Sequence, residues 1–147
     1  MPFESIAYRQ DYKATASPKG ERIIIHGASY LTSKDSSIEK IWVFDGDFEQ
    51  LYEKTFLSPY ATKKILSNLS VTDRGDVFYV YDNKELVTLD ASKGFKEKII
   101  PFTQLGKDPH ININHIQSVI NDSGHFIMTG IYQTIKEFYP NSYNSNS

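Results

Sequence analysis

The sequence predicts an all-β chain of consecutive four-stranded antiparallel units. Three observations carry this: an aromatic excess, a turn that recurs around a glycine, and strand-like runs between the turns. Aromatics are 14% of the 147 residues, with 10 Tyr and 9 Phe, and such rings fit the pleated, half-buried surface of a sheet. The 39% hydrophobic content suffices for a core in a chain of one-domain size.

The recurring turn appears when the chain is slid against itself. Thr15–Ile25, Ser70–Val80 and Val119–Thr129 align without gaps on Gly20, Gly75 and Gly124. The spacings are 55 residues (Gly20 to Gly75) and 49 residues (Gly75 to Gly124). Pro18, Asp73 and Asp122 each stand two places before the glycine. Proline presets φ for a turn, an Asp side chain can close one, and glycine supplies a positive φ where the chain reverses. A β-branched and aromatic run follows each time, as a strand requires.

The downstream parts agree for two units. Ile38–Asp45 stops at Asp45-Gly46-Asp47-Phe48, and Lys84–Asp90 stops at Ala91-Ser92-Lys93-Gly94-Phe95. Each reads as a strand that ends at Asp, turns through Gly and resumes near Phe. Leu51–Phe56 and Lys96–Phe102 supply the fourth strands. Within 77–81, Val77, Tyr79 and Tyr81 share one face while Phe78 and Val80 share the other, so this strand is expected between two neighbouring sheets. The units span about residues 13–56, 66–102 and 115–138 of one repeat domain (1–138), and the polar stretch 139–147 is expected to be a disordered tail. Pro-containing stretches 58–64 and 104–110 read as connections. One short helical turn is conceivable over 61–68.

Four-stranded units with a turn glycine after Pro or Asp, at a period near fifty residues, resemble β-propeller blades. The resemblance covers Ser17 to Tyr132 and is closest to diverged bacterial propellers. Trp42 precedes Val43 rather than the Asp of a WD ending, and the paired glycines of kelch blades are absent. The resemblance implies a partial β-propeller of about two and a half to three blades and no particular activity. A β-sandwich is the alternative, since about ten short strands also make one. Propellers close with about four to eight blades, so a shorter arc implies the remainder of a longer chain or a homo-oligomer.

The net charge of −2 argues against nucleic-acid binding, which needs a Lys and Arg surplus. No apolar run approaches the length of a membrane span, and Met1–Ile6 does not read as a secretory signal. There is no cysteine. His110 and His115 bracket an alternating stretch and would point to opposite faces of a strand, so no metal site is expected there. Asp45-Gly46-Asp47 with Glu49 superficially suggests calcium, but a hairpin turn accounts for it. Asp82-Asn83 reads as another turn. Asn68-Leu69-Ser70 and Asn121-Asp122-Ser123 match the glycosylation pattern but are better read as strand and turn. No nucleophile elbow or phosphate loop occurs, and no cofactor is implied. The expected function is a non-catalytic binding or scaffolding module whose ligand, protein or small molecule, is not specified. Part of a propeller-type hydrolase or lyase is the alternative. The candidate binding loop is the polar stretch from Tyr30 to Ser37, with Ser33, Asp35 and Ser36, followed by the stretch from Thr103 to His110.

Overall fold

The computed structural model describes residues 7–31, 36–59, 65–104 and 111–134. Within them the chain is all-β. Ten strands follow in order: β1 (Ala7–Ala16), β2 (Arg22–Leu31), β3 (Ser36–Asp45), β4 (Gln50–Ser58), β5 (Leu66–Val71), β6 (Val77–Tyr81), β7 (Glu85–Asp90), β8 (Lys96–Pro101), β9 (Ile111–Ile120) and β10 (Phe126–Thr134). They form antiparallel sheets β1-β2-β3-β4, β5-β6-β7-β8 and the hairpin β9-β10. Each strand pairs with its neighbour in sequence, so every connection within a sheet is a hairpin. Strand β1 already includes Ala7. Leu66–Asn68, where the sequence allowed a short helical turn, belongs to strand β5, and 61–64 of that stretch lie outside the described residues. The tail from 139 lies outside the described residues. No helix among the described residues is long and apolar enough to cross a membrane.

The three recurring turns share one hydrogen-bond pattern. Ser17 N–H donates to Arg22 O, Thr72 N–H to Asp76 O, and Asn121 N–H to His125 O; Gly20, Gly75 and Gly124 donate back to Ser17, Thr72 and Asn121. All three glycines have positive φ, the conformation a β-carbon penalises. The side chain that closes each turn is not the Pro or Asp singled out by sequence but the residue before it. Ser17 Oγ accepts from Arg22 N, Thr72 Oγ1 from Asp76 N, and Asn121 Oδ1 from Ser123 N and His125 N.

This pattern also shifts the alignment. Arg22, Asp76 and His125 hold the same position, so the first turn contains one residue more than the others. Ile24, Phe78 and Ile127 are therefore equivalent. A slip of one residue exchanges the two faces of a strand, which is why the gapless alignment pairs the wrong side chains beyond Gly20.

With the faces corrected, the sheets pack in series. The face of the first sheet carrying Ile24, Ile41, Val43 and Phe56 meets the face of the second carrying Val77, Tyr79, Val87 and Leu89 in one buried cluster. The Phe56 ring stands edge-on to Tyr79 at 5.6 Å, and Tyr52 stacks on Phe95 at 4.4 Å. Lys54 of the first sheet reaches Glu97 and, at 3.5 Å, the Tyr79 hydroxyl. Burial and the Glu97 carboxylate push that hydroxyl's pKa up. On the other face of β6, Phe78 stacks on Phe126 of the hairpin at 4.8 Å with parallel rings. The strand apolar on both faces thus lies between two neighbouring sheets.

Of two other expected turns, the first is made differently from expectation and the second is found where expected. At Asp45–Glu49 it is Phe48, not Gly46, that takes the positive φ, at 62°. Asp45 Oδ1 accepts from Asp47 N and Glu49 N, so this carboxylate caps the turn. Asp82 and Asn83 take two consecutive positive φ values while Lys84 N–H donates to Tyr81 O. That is the type I′ hairpin turn, whose left-handed positions Asp and Asn tolerate.

Candidate functional site

The first strands of the three sheets, β1, β5 and β9, lie next to one another. Where they meet, a cavity of about 440 Å³ opens, lined by Lys13, Thr15, His26, Ser67, Asn68 and Ser118 among others. Its volume is within the range of small-ligand sites, roughly 300–1,000 Å³. Lysine, histidine, hydroxyl and amide groups supply its polar lining, and among the described residues no carboxylate takes part.

Register explains how these groups converge. In β1 and β2, Lys13 pairs with His26, and both lie on the face turned to the second sheet, along with Ile41. In β5, Ser67 and Ser70 share the face of Phe78 and Val80. Between those serines the pairing shifts, and Asn68 takes φ 52°. In β9 the same irregularity falls at His115, with φ 54°. Each bulge sets two residues against one on the partner strand and turns the strand locally. The two bulges are tied together, because Asn68 Nδ2 donates to Ile116 O at 3.1 Å.

Behind the cavity lies a buried acid. Glu39, only 1% exposed, pairs through Oε2 with His26 Nε2 at 2.8 Å. Its Oε1 accepts from the Ile65 N–H at 2.7 Å. A carboxylate removed from water must find such donors. It finds one in its own sheet and one at the entry to the next, and so it both orients the imidazole and joins two sheets. The pair is diagonal across β2 and β3, since Glu39 sits opposite Ala28 and His26 opposite Ile41. The pair is not visible in the sequence, because residues thirteen apart become neighbours only through the pairing register of β2 and β3.

A second cavity, about 420 Å³, lies among the recurring turns, lined by Lys19, Asp73, Arg74, Asp76, Asp122 and His125 with others. The first two turns touch directly: Lys19 N–H donates to Asp73 Oδ1 at 2.9 Å. The Ser17 hydroxyl and this N–H hold the Asp73 carboxyl below the usual carboxylate range. Asp73 thus links turns rather than closing its own. Asp76 Oδ1 accepts from Ala91 N, and its Oδ2 pairs with Arg74. With both acids occupied in this way, the first cavity is the better candidate.

Of the described residues named from sequence, Tyr30 and Ser36 do not line this cavity. Ser33, Asp35 and His110 lie outside the described residues. Ser36 is the first residue of β3, paired with Leu31, and Tyr30 pairs with Ser37. The polar stretch from Tyr30 to Ser37 is therefore strand at both ends, with 32–35 between. Of the other expected loop, Phe102–Gln104 forms a single 3₁₀ turn and 105–110 lie outside the described residues. At the Asn68 acceptor pattern, the nitrogen a glycan would occupy is the one bonded to Ile116 O. Among the described residues no cluster of three metal-ligating side chains occurs. No protein-family model matches the chain, and neither curated proteins nor solved structures yield a match.

Proposed function

We propose that this chain is a non-catalytic binding module built on an arc of propeller-type blades, with its ligand seat in the cavity between β1, β5 and β9. The supporting observation is that cavity's lining: Lys13, His26, three serines, Thr15 and Asn68, with no carboxylate among the described lining residues. Such a donor-rich wall suits a small ligand bearing acceptors and negative charge, a carboxylate above all. The blade reading draws on the consecutive strand order and on first strands lying side by side, as they do around a propeller axis.

The hydrolase or lyase reading draws on His26 held by Glu39 beside serine hydroxyls. A nucleophile needs its base within hydrogen-bond reach. Among the described residues no hydrogen bond joins His26 to Ser67, Ser70 or Ser118, and the binding reading is preferred.

Calorimetric titration with a set of mono- and dicarboxylates tests the proposal. At least one should bind, and Lys13→Ala should weaken that affinity by about tenfold, the loss of one charge-assisted contact of ~1.4 kcal/mol. The Lys13 side chain is exposed, so the fold should survive, as a circular dichroism spectrum would show. Absence of binding across the set, or binding indifferent to Lys13 and Ser118, would remove the cavity as the seat.

A further inference from the structure

The sheets contact one another in one sense only. A forward face, marked by Ile24 in the first sheet and Phe78 in the second, meets the backward face of the next, marked by Tyr79 and Phe126. Two faces remain uncovered by the described residues. One is the forward face of β9–β10, where Ile127, the equivalent of Ile24 and Phe78, is 46% exposed and Ile131 is 61% exposed. The other is the backward face of β1–β4, where Leu57 is 70% and Tyr12 is 59% exposed.

We propose that copies of this chain associate head to tail, the forward face of the β9–β10 hairpin in one seated on the backward face of β1–β4 in the next. The contact continues the forward-to-backward packing already made twice within the chain. The two faces are also compatible in charge. On the hairpin, Gln117, Val119, Ile127, Thr129 and Ile131 carry none. On the first sheet, Lys40 is already paired with Glu53 at 3.1 Å, so docking buries no unpaired ion, which is the costly case. Tyr12 and Trp42 close over Gly27, where a β-carbon would come within 2.9 Å of the Tyr12 ring and 3.0 Å of Trp42. This packs the two rings down as a broad apolar floor. The contact is heterologous, so each copy offers one face of each kind.

The two faces are those turned away from the ligand cavity, so the association does not depend on it. Light scattering after size exclusion tests it on the full chain. The wild type should run at a multiple of 16.8 kDa. A forward variant, Ile127→Lys with Ile131→Lys, and a backward variant, Tyr12→Lys with Leu57→Lys, should each be monomeric alone. Mixed, they should form a one-to-one dimer through the single pair of intact faces. Threonine at Ile131 and at Leu57 provides a milder pair that keeps strand preference, should the lysine variants fail to fold. A monomeric wild type overturns the proposal, as does a mixture of the variants that stays monomeric. Association that survives in either variant alone overturns it too, because it would mean a different contact.

Discussion

β6 and β10 hold equivalent positions in successive sheets but have different surroundings. β6 is covered on both sides: Val77 and Tyr79 are buried against the first sheet, Val80 is buried, and Phe78 stacks on the hairpin. β10 is covered on one side, by the Phe126 contact, while Ile127 and Ile131 face outward. β6 is apolar throughout, and β10, though it also holds Thr129 and Gly130, carries apolar side chains on both faces: Phe126 and Met128 on one, Ile127 and Ile131 on the other. Apolar character on both faces of a strand therefore indicates a partner sheet on each side, and where one partner is lacking the strand leaves a surface to be covered.

The comparison can be tested at three levels. The largest effect is expected at the covered strand. Tyr79→Ala should cost about 3–5 kcal/mol, the usual range for deleting a buried ring, read from the urea midpoint at constant slope. A loss below about 1 kcal/mol would mean that the first two sheets do not share a core. Next, Phe78→Ala should cost about 2 kcal/mol, a half-buried ring and its stacking partner. Amide exchange should rise in β9 and β10 while β2 and β3 keep their protection. Equal loss of protection in every sheet would show that the hairpin unfolds only with the rest. The smallest difference should separate two equivalent glycines. At Gly75→Ala the β-carbon meets only ordinary contacts, 3.4 Å from Ala91 Cβ and 3.6 Å from Arg22 Nε, and at Gly124→Ala it meets nothing within 4 Å. Both incur the positive-φ cost of about 1–2 kcal/mol, but Gly75 at φ 100° lies further from the left-handed well than Gly124 at φ 80°, so Gly75→Ala should be the worse by a few tenths. If the order reverses, the contact with Ala91 outweighs the difference in φ.

Much of the fold was legible because it depends on local chemistry. The turn glycines, the strand endings and the two-faced apolar character of 77–81 follow from φ preferences and from a period of two. What escaped depends on register. The additional residue in the first turn is invisible to an alignment anchored on Gly20, yet it exchanges every face beyond it. The left-handed position at 48 fell to a phenylalanine although Gly46 stood two residues away, because the hydrogen bonds of the turn place that conformation just before Glu49. Ser36 and Ser37 read as loop by composition, but pairing with Leu31 and Tyr30 makes them strand. The His26–Glu39 pair needed the β2–β3 register before it had any meaning.

The bulges at Asn68 and His115 bear on how these strands keep their alignment. A flat strand can slide by one residue along its neighbour and lose only its facing pattern. Here a slip would move the left-handed conformation onto Ser67 or Leu69 in β5, and onto Asn114 or Ile116 in β9. Leu69 and Ile116 accept it poorly, β-branched Ile116 least of all. Asn68 would also lose its bond to Ile116 O. The two irregularities thus act as detents, giving each inner strand one seating along its partner and allowing neighbouring sheets to meet at a defined height.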